Sequence, residues 1–462
     1  MRGFELVTEQ VEKKNSRVII GMDEGWAELP TGEILRRVRQ GRDYAVGVKP
    51  NGGFWPDEKL GEVSRKIRAE MPEMVIIHDA KRGDIGNTQK GWAKKDQELI
   101  NPHISTINTY MGYNDTTGPF LERGIDAFAL AATSNPGTDF QNMFSGGLRN
   151  YQQMYLLGRA YNPNDIGYVV GSTKGGAMID IRAIELEHGL SQAWILAPGL
   201  GSSGQKGEPE AIVPFGGANT LYPLSRQFAV ENPGAEIKLW RDKINETAAR
   251  GYSIKSYSEL FIENMIESGI FRVAESVDKE QWFTLKNGTK SPIYWDVRNI
   301  QWYPALRRQA AYLMAKKIAE SGVHYDYIVP VLMGALGLGF PIADLLDAPV
   351  LTLRQSAKDH GDKLEYVGRP EKGMTGIIVE DVITSGISSG DTVNKLRGIG
   401  QNVSNVAALI DREQGGEKNL KDLNEVNLLC GFVQSDVIGM ALGDNPMKDV
   451  VMNYIKETTK QK

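Results

Sequence analysis

Eight short apolar runs in the first 240 residues restrict this chain more than any other feature. They are "RVIIGMD" (17–23), "YAVGVKP" (44–50), "MVIIHDAK" (74–81), "ISTINTY" (104–110), "DAFALAAT" (126–133), "IGYVVGST" (166–173), "AWILAPG" (193–199) and "EAIVPFGGA" (210–218). Each is nearly continuous in apolar residues, the pattern of a strand covered on both faces. The stretches between several of them, such as "WPDEKLGEVSRKIRAEM" (55–71) and "NDTTGPFLERG" (114–124), are amphipathic. Eight such βα units in about 240 residues predict a (β/α)8 barrel.

The pattern breaks near Arg241, where "RDKINETAARGYSIKSYSELFIENMIESGIF" (241–271) reads as helix, polar joint and helix. The expected domains are therefore 1–248 and 249–462. Beyond the joint, "YDYIVPVL" (325–332), "APVLTLRQ" (348–355), "GIIVEDV" (376–382) and "NVSNVAALID" (402–411) alternate with helical segments, predicting a second, smaller α/β domain.

Composition removes several classes of function. A net charge of −5 over 462 residues leaves no electrostatic footprint for nucleic acid or an anionic membrane. No run approaches the roughly 18 apolar residues of a membrane span, and the first residues lack a signal peptide's apolar core. The one cysteine, Cys430, excludes a disulfide framework within the chain and is expected to be a buried, inert thiol. A reducing cytoplasm is the expected location. His78, His103, His188 and His324 have no metal-ligand spacing and are expected to be packing or surface residues.

In a barrel, chemistry gathers where strands end at the C-terminal mouth. Here the first strand ends in Asp23, the second in Lys49, and the third in Asp79 and Lys81, with Asp84 following in the loop. Asp79 and Lys81 are two apart, so a strand points both to one face. Burying such a set costs several kcal/mol per ion unless the groups form a network, which makes the cluster expensive as a merely structural device. Arg82 breaks the inward alternation and is expected to form a structural ion pair.

Asp79-x-Lys81-x-x-Asp84, with Asp23, Lys49 and Thr88 around it, resembles the active site of orotidine 5′-phosphate decarboxylases. The likeness spans roughly residues 1–240 and includes "TSNPGT" (133–138), "VVGST" (169–173), "APGLGSSG" (197–204) and "SR" (225–226). It implies decarboxylation at C6 of the pyrimidine without metal or organic cofactor. By this resemblance Lys81 donates the proton, Asp79 opposes the leaving carboxylate, Lys49 anchors the charges and Asp23 holds ribose. Asp84 and Thr88 would reach a partner subunit's substrate. The pyrimidine would lie against Ser134 and Pro136, and Arg226, assisted by Gln205, would bind the 5′-phosphate. Residues 199–204, "GLGSSG", also satisfy a dinucleotide fingerprint. Yet no helix pattern follows, and 211–230 holds no acidic residue for a ribose, so a phosphate loop is the better reading.

The second domain carries "GIIVEDVITSGISSG" (376–390), an apolar strand ending in Glu380 and Asp381 and then a Thr384-Ser385-Gly386 turn into a helix. Turn amides and a helix N-terminus collect phosphate, and the acidic pair accepts from ribose hydroxyls. This resembles the phosphoribosyl pyrophosphate motif of type I phosphoribosyltransferases. "WFTLKNGTKSPIYWD" (282–296), "LRQSAKDHGD" (353–362) and "LIDREQGG" (409–416) narrow it to orotate phosphoribosyltransferases, over roughly residues 255–455. The resemblance implies substrate contact at Lys286, an orotate pocket flanked by Tyr294 and Trp295, and orotate binding by Thr384 and Arg412. Ser385 and Gly386 would belong to the phosphate turn, and Arg354, Lys358 and His360 to a loop that closes over pyrophosphate. It also implies Mg2+ entering with the donor, and no firmly assigned protein ligand for it. Two positions depart from the bacterial pattern: Gln355 replaces a lysine, and "VPVLMGALGLG" (329–339) has none.

Together the resemblances imply orotate and phosphoribosyl pyrophosphate as substrates, orotidine 5′-phosphate as intermediate, and a homodimer or higher homo-oligomer. Two alternatives stand beside this reading. One is a sensor that binds the donor without turnover, against which Lys358, His360 and Arg412 argue. The other is a Mg2+-dependent sugar-phosphate lyase sharing the Asp-x-Lys-x-x-Asp pattern, which chelator sensitivity would reveal.

Overall fold

The computed structural model describes all residues except 1, 138, 146–147, 202–206, 251–254, 286–287, 355–365, 444 and 461–462. The chain divides into two compact units, one of Met1–Met143 and Arg149–Ser256, the other of Tyr257–Lys462 with Phe144–Leu148.

In the first unit eight parallel strands close a barrel: β1 (Val18–Met22), β2 (Gly47–Pro50), β3 (Val75–Arg82), β4 (Ile104–Ile107), β5 (Asp126–Ala132), β6 (Ile166–Val170), β7 (Ile195–Leu196) and β8 (Thr220–Leu224). Consecutive strands pair and β8 returns to β1, with Ile19 opposite Pro223. Seven of the eight expected runs become barrel strands. The eighth does not, because 209–211 and 213–215 form 3-10 turns and the closing strand is "TLYPL" at 220–224. Pro214 and the Gly216-Gly217 pair deny the earlier run a continuous ladder. Pro223 disguises the true strand, since proline usually marks a strand as peripheral.

Ile19, Val46, Ile77, Ile104, Phe128, Val169, Leu196 and Leu221 belong to one buried cluster in this unit. Helix α1 (Gly3–Lys14) packs into that cluster with Phe4, Leu6 and Val7, and Phe4 meets Phe128 edge to face at 5.1 Å. Burying Phe4 contributes about 2–3 kcal/mol. The Phe4 amide donates to the Asp126 carboxylate at 2.8 Å, which ties α1 to the start of β5. The opposite, C-terminal ends of the strands are thereby left for polar loops.

The second unit is built on a four-stranded parallel sheet in the order β9 (Tyr327–Pro330), β10 (Thr375–Ile383), β11 (Asn402–Asp411) and β12 (Asn427–Val433). Three of these were expected. The run 348–355 instead gives only a bridge from Val350 to Ile328 and a pair, Thr352–Leu353, antiparallel to Tyr366–Val367. Strand β12 was not expected. Cys430 lies on it and is free and half-buried rather than buried; burial pushes its thiol up to about 12, which keeps it protonated and unreactive.

Candidate active sites

A cleft of about 290 Å3 opens where the barrel strands end. It is lined by Asp23 after β1, Lys49 in β2, Asp79 and Lys81 in β3, Ser134 after β5 and Arg226 after β8, so the topology assembles six sequence-predicted residues from five strands. Asp79 is its electrostatic centre. One carboxylate oxygen accepts from Lys49 Nζ at 2.5 Å, the other from Lys81 Nζ at 2.7 Å and from Thr106 Oγ1 at 3.0 Å. Burial pushes the Asp79 carboxyl up, but the charges and hydrogen bonds of Lys49 and Lys81 outweigh it and hold the group well below the usual carboxylate range. Lys49 is buried, whereas Lys81, though paired with Asp79, is exposed to the cleft.

Asp23 and its neighbours form the next part of the wall. The Asn51 side-chain amide donates to the Asp23 carboxylate at 3.4 Å, and the Asp23 backbone amide donates to Ser225 Oγ at 3.3 Å. Gly21 makes this approach possible, because a Cβ there would lie 2.9 Å from that of Ser225. Arg226 pairs with no carboxylate among the described residues, which leaves its guanidinium available to an anion. Leu130, Val169 and Leu196 provide an apolar wall. Asn51, Thr106, Ser225 and Gln227 were not singled out from sequence; only the last two carried a signal, as neighbours of Arg226.

Other expectations fall outside this cleft. Asp84 is half-buried and Thr88 exposed, at the start of the helix Gly86–Leu99, and neither lines it; Pro136 is exposed away from it. Gln205 lies outside the described residues. Arg82 pairs with Asp96 at 2.9 Å and lies 3.9 Å over the Trp92 ring, the structural role expected of it. His78 Nδ1 donates to the same Asp96 carboxylate at 2.9 Å, and His103 Nδ1 accepts the Ile76 amide, so both are packing residues.

In the second unit a cleft of about 410 Å3 gathers Tyr294, Trp295, Glu380, Asp381, Thr384, Ser385, Gly386 and Arg412. Gly386 adopts φ 75° before the helix Ile387–Gly398, so the turn presents its amides and the helix N-terminus together. Glu380 and Asp381 are buried side by side at the end of β10. Burial and the neighbouring Asp381 charge push the Glu380 carboxyl up to about 8, despite the hydrogen bond it accepts from Ser389 at 3.0 Å. Arg298 approaches Asp381 only to 3.9 Å. Gly334 packs against Asp381, since a Cβ there would stand 2.7 Å from both carboxylate oxygens. Trp295 stacks on Phe271 and donates to Gln434, whose amide in turn donates to the Arg412 carbonyl, so the aromatic side chain is tied to the Arg412 backbone. Arg354 does not line this cleft, and Lys286, Gln355, Lys358 and His360 lie outside the described residues.

A barrel with a charge-balanced carboxylate at its mouth, and a parallel sheet with a phosphate-cradling turn beside an acidic pair, define a lyase unit and a phosphoribosyl-handling unit. Comparison with known proteins agrees. The family model for "Orotidine 5′-phosphate decarboxylase / HUMPS family" matches residues 16–214, and that for "Phosphoribosyl transferase domain" matches residues 296–435. An orotate phosphoribosyltransferase of Caenorhabditis elegans is 35% identical over 189 residues, covering 41% of this chain and 80% of the relative. An orotidine 5′-phosphate decarboxylase of Christiangramia forsetii is 31% identical over 229 residues, covering 46% and 81%. A Nostoc protein named bifunctional enzyme PyrF/PyrE is 24% identical over 454 residues, covering 90% and 92%. The chain belongs to the orotidine 5′-phosphate decarboxylase and orotate phosphoribosyltransferase families, joined in that order. It thus carries the last two steps of UMP synthesis in one polypeptide.

Proposed function

We propose that the two clefts are the two active sites, with residues 249–462 making orotidine 5′-phosphate and residues 1–248 decarboxylating it. The observation that carries the decarboxylase assignment is Asp79 held ionised between Lys49 and Lys81, in a cleft also lined by Arg226, which pairs with no carboxylate among the described residues. A substrate carboxylate placed against Asp79 is repelled in the ground state, and the repulsion is relieved as CO2 leaves. The C6–carboxyl bond breaks, its electron pair stays on C6, and the Lys81 ammonium stabilises that carbanion and delivers the proton. Asp23 binds ribose with Asn51 beside it, Ser134 faces the pyrimidine, and Arg226 takes the phosphate with Gln205.

In the transferase, Thr384, Ser385 and Gly386 hold the 5′-phosphate while Glu380 and Asp381 accept from ribose hydroxyls. Tyr294, Trp295, Arg412 and Lys286 receive orotate. Arg354, Lys358 and His360 neutralise the departing pyrophosphate. Glu380 and Asp381 offer hard oxygen donors suited to Mg2+ arriving with the donor, and the ion supplies neutralisation of pyrophosphate charge. No three potential metal ligands gather among the described residues, so Glu380 and Asp381 are the protein groups that would hold the ion.

Asp84 and Thr88 act, in this reading, on the substrate of a second subunit. The exposure of Thr88, together with the exposed apolar Ile85 and Tyr110 on adjacent loops, suits that face to a copy of the same chain. No helix among the described residues is long and apolar enough to cross a membrane. A cytoplasmic location accords with the free thiol.

The purified chain given orotate, phosphoribosyl pyrophosphate and Mg2+ should consume orotate and release CO2. With orotidine 5′-phosphate supplied directly, a chelator should leave CO2 release unchanged while abolishing orotate consumption. Decarboxylation that stops with chelation would instead favour a Mg2+-dependent lyase.

A further inference from the structure

The third barrel strand is irregular where its chemistry sits. Along β3 and β4, Ile77 pairs with Ile104 and His78 with Ser105, but the next pair is Arg82 with Ile107. Three residues, 79–81, therefore face Thr106 alone, a bulge that re-aims side chains and leaves ladder groups unpaired. Lys81 sits in it at φ 49°, the one non-glycine residue within a strand at positive φ among the described residues. Such a conformation is strained for a residue with a Cβ and persists where the surroundings enforce it.

Thr106 supplies that enforcement. Its hydroxyl accepts the Lys81 backbone amide at 2.9 Å and donates its single proton to the Asp79 carboxylate at 3.0 Å. The side chain is buried and lines the same cleft. One neutral group thus fixes both the backbone from which Lys81 projects and the rotation of the carboxylate to which its ammonium is bound, adding no charge to the Lys49–Asp79–Lys81 balance. We propose that Thr106 is a positioning residue for decarboxylation, holding Lys81 and Asp79 in one mutual geometry. This rests on the reading of Lys81 as proton donor.

The test compares Thr106→Val, which keeps the shape and removes the hydroxyl, with Thr106→Ser, which keeps the hydroxyl. Both are made in the full chain and assayed with orotidine 5′-phosphate, with orotate consumption by the same preparation as the control. Valine should lower kcat by about 10²-fold, the scale of a misplacement near 1 Å, with KM changed less than about threefold and transfer unaffected. Serine should stay within about threefold of the parent. A second apolar variant, Thr106→Ala, measured where circular dichroism shows it folded, should repeat the kcat loss. Parental kcat in valine or alanine, or loss in serine equal to that in valine, overturns the proposal. Lys81→Ala separates the two levels: if it still decarboxylates, the reading of the site fails; if it is inactive while Thr106→Val is normal, only the positioning role falls.

Discussion

In the barrel cleft a buried carboxylate is flanked by two ammonium groups, whereas in the α/β cleft two buried carboxylates stand together with one guanidinium 3.9 Å away. The first arrangement is electrostatically complete before any ligand arrives, and the cation pair keeps Asp79 ionised. The second is incomplete, and burial beside the Asp381 charge pushes the Glu380 carboxyl up. The difference follows the chemistry. A decarboxylase that works by charge placement needs its charges fixed in advance, whereas a transferase taking a highly anionic donor with a metal leaves the balancing charge to its substrate.

Breaking the completed network should have the largest consequence. Asp79→Asn removes the charge opposing the substrate and leaves Lys49 and Lys81 without their anion; decarboxylation should fall by about 10³-fold or more, with the transferase rate unchanged. Steady-state rates of the two half-reactions check this, and an equal fall in both would contradict the independence of the sites.

The acidic pair gives an intermediate effect. Ionised Glu380 is the form that accepts from ribose, so donor binding should release a proton and weaken by up to about tenfold per pH unit below about 8. Glu380→Gln should raise the donor KM about tenfold and flatten its pH dependence between 6 and 8. A parental pH profile in that variant would refute the assignment.

The smallest effect is on stability. A carboxyl raised by burial favours the folded state below its unfolded value near 4.5, and that contribution is lost as pH rises through about 8. Glu380→Gln should therefore melt like the parent near pH 4.5 and gain progressively toward pH 9, by on the order of 1–3 kcal/mol. Melting curves across that range would show it, and a gain confined to low pH would reverse the sign.

Much of the barrel was legible because strands covered on both faces carry their own apolar signature and end in charge at the mouth. Asp23, Lys49, Asp79 and Lys81 could be placed in one site since each closes or follows such a run. The closing strand escaped because its ladder includes Pro223, tolerated where Ile19 lies opposite. Thr106 escaped for another reason: inside an apolar strand it reads as an ordinary β-branched residue, and its importance exists only once the β3 bulge brings Lys81 and Asp79 to its hydroxyl. Asp84 and Thr88 were read from the motif but lie outside the cleft of their own chain, in the loop after β3 and the first turn of helix Gly86–Leu99. In the second unit the turn at 384–386 was visible from its glycine and hydroxyl residues, while the Trp295–Gln434–Arg412 chain depends on contacts across 139 residues of sequence that no local pattern announces.

The most direct measurement follows orotate, orotidine 5′-phosphate and CO2 together in full-length Lys81→Ala supplied with orotate, phosphoribosyl pyrophosphate and Mg2+. The variant should consume orotate at the parental rate and accumulate orotidine 5′-phosphate with almost no CO2. Continued CO2 release, or a transferase rate that falls with decarboxylation, would contradict the account.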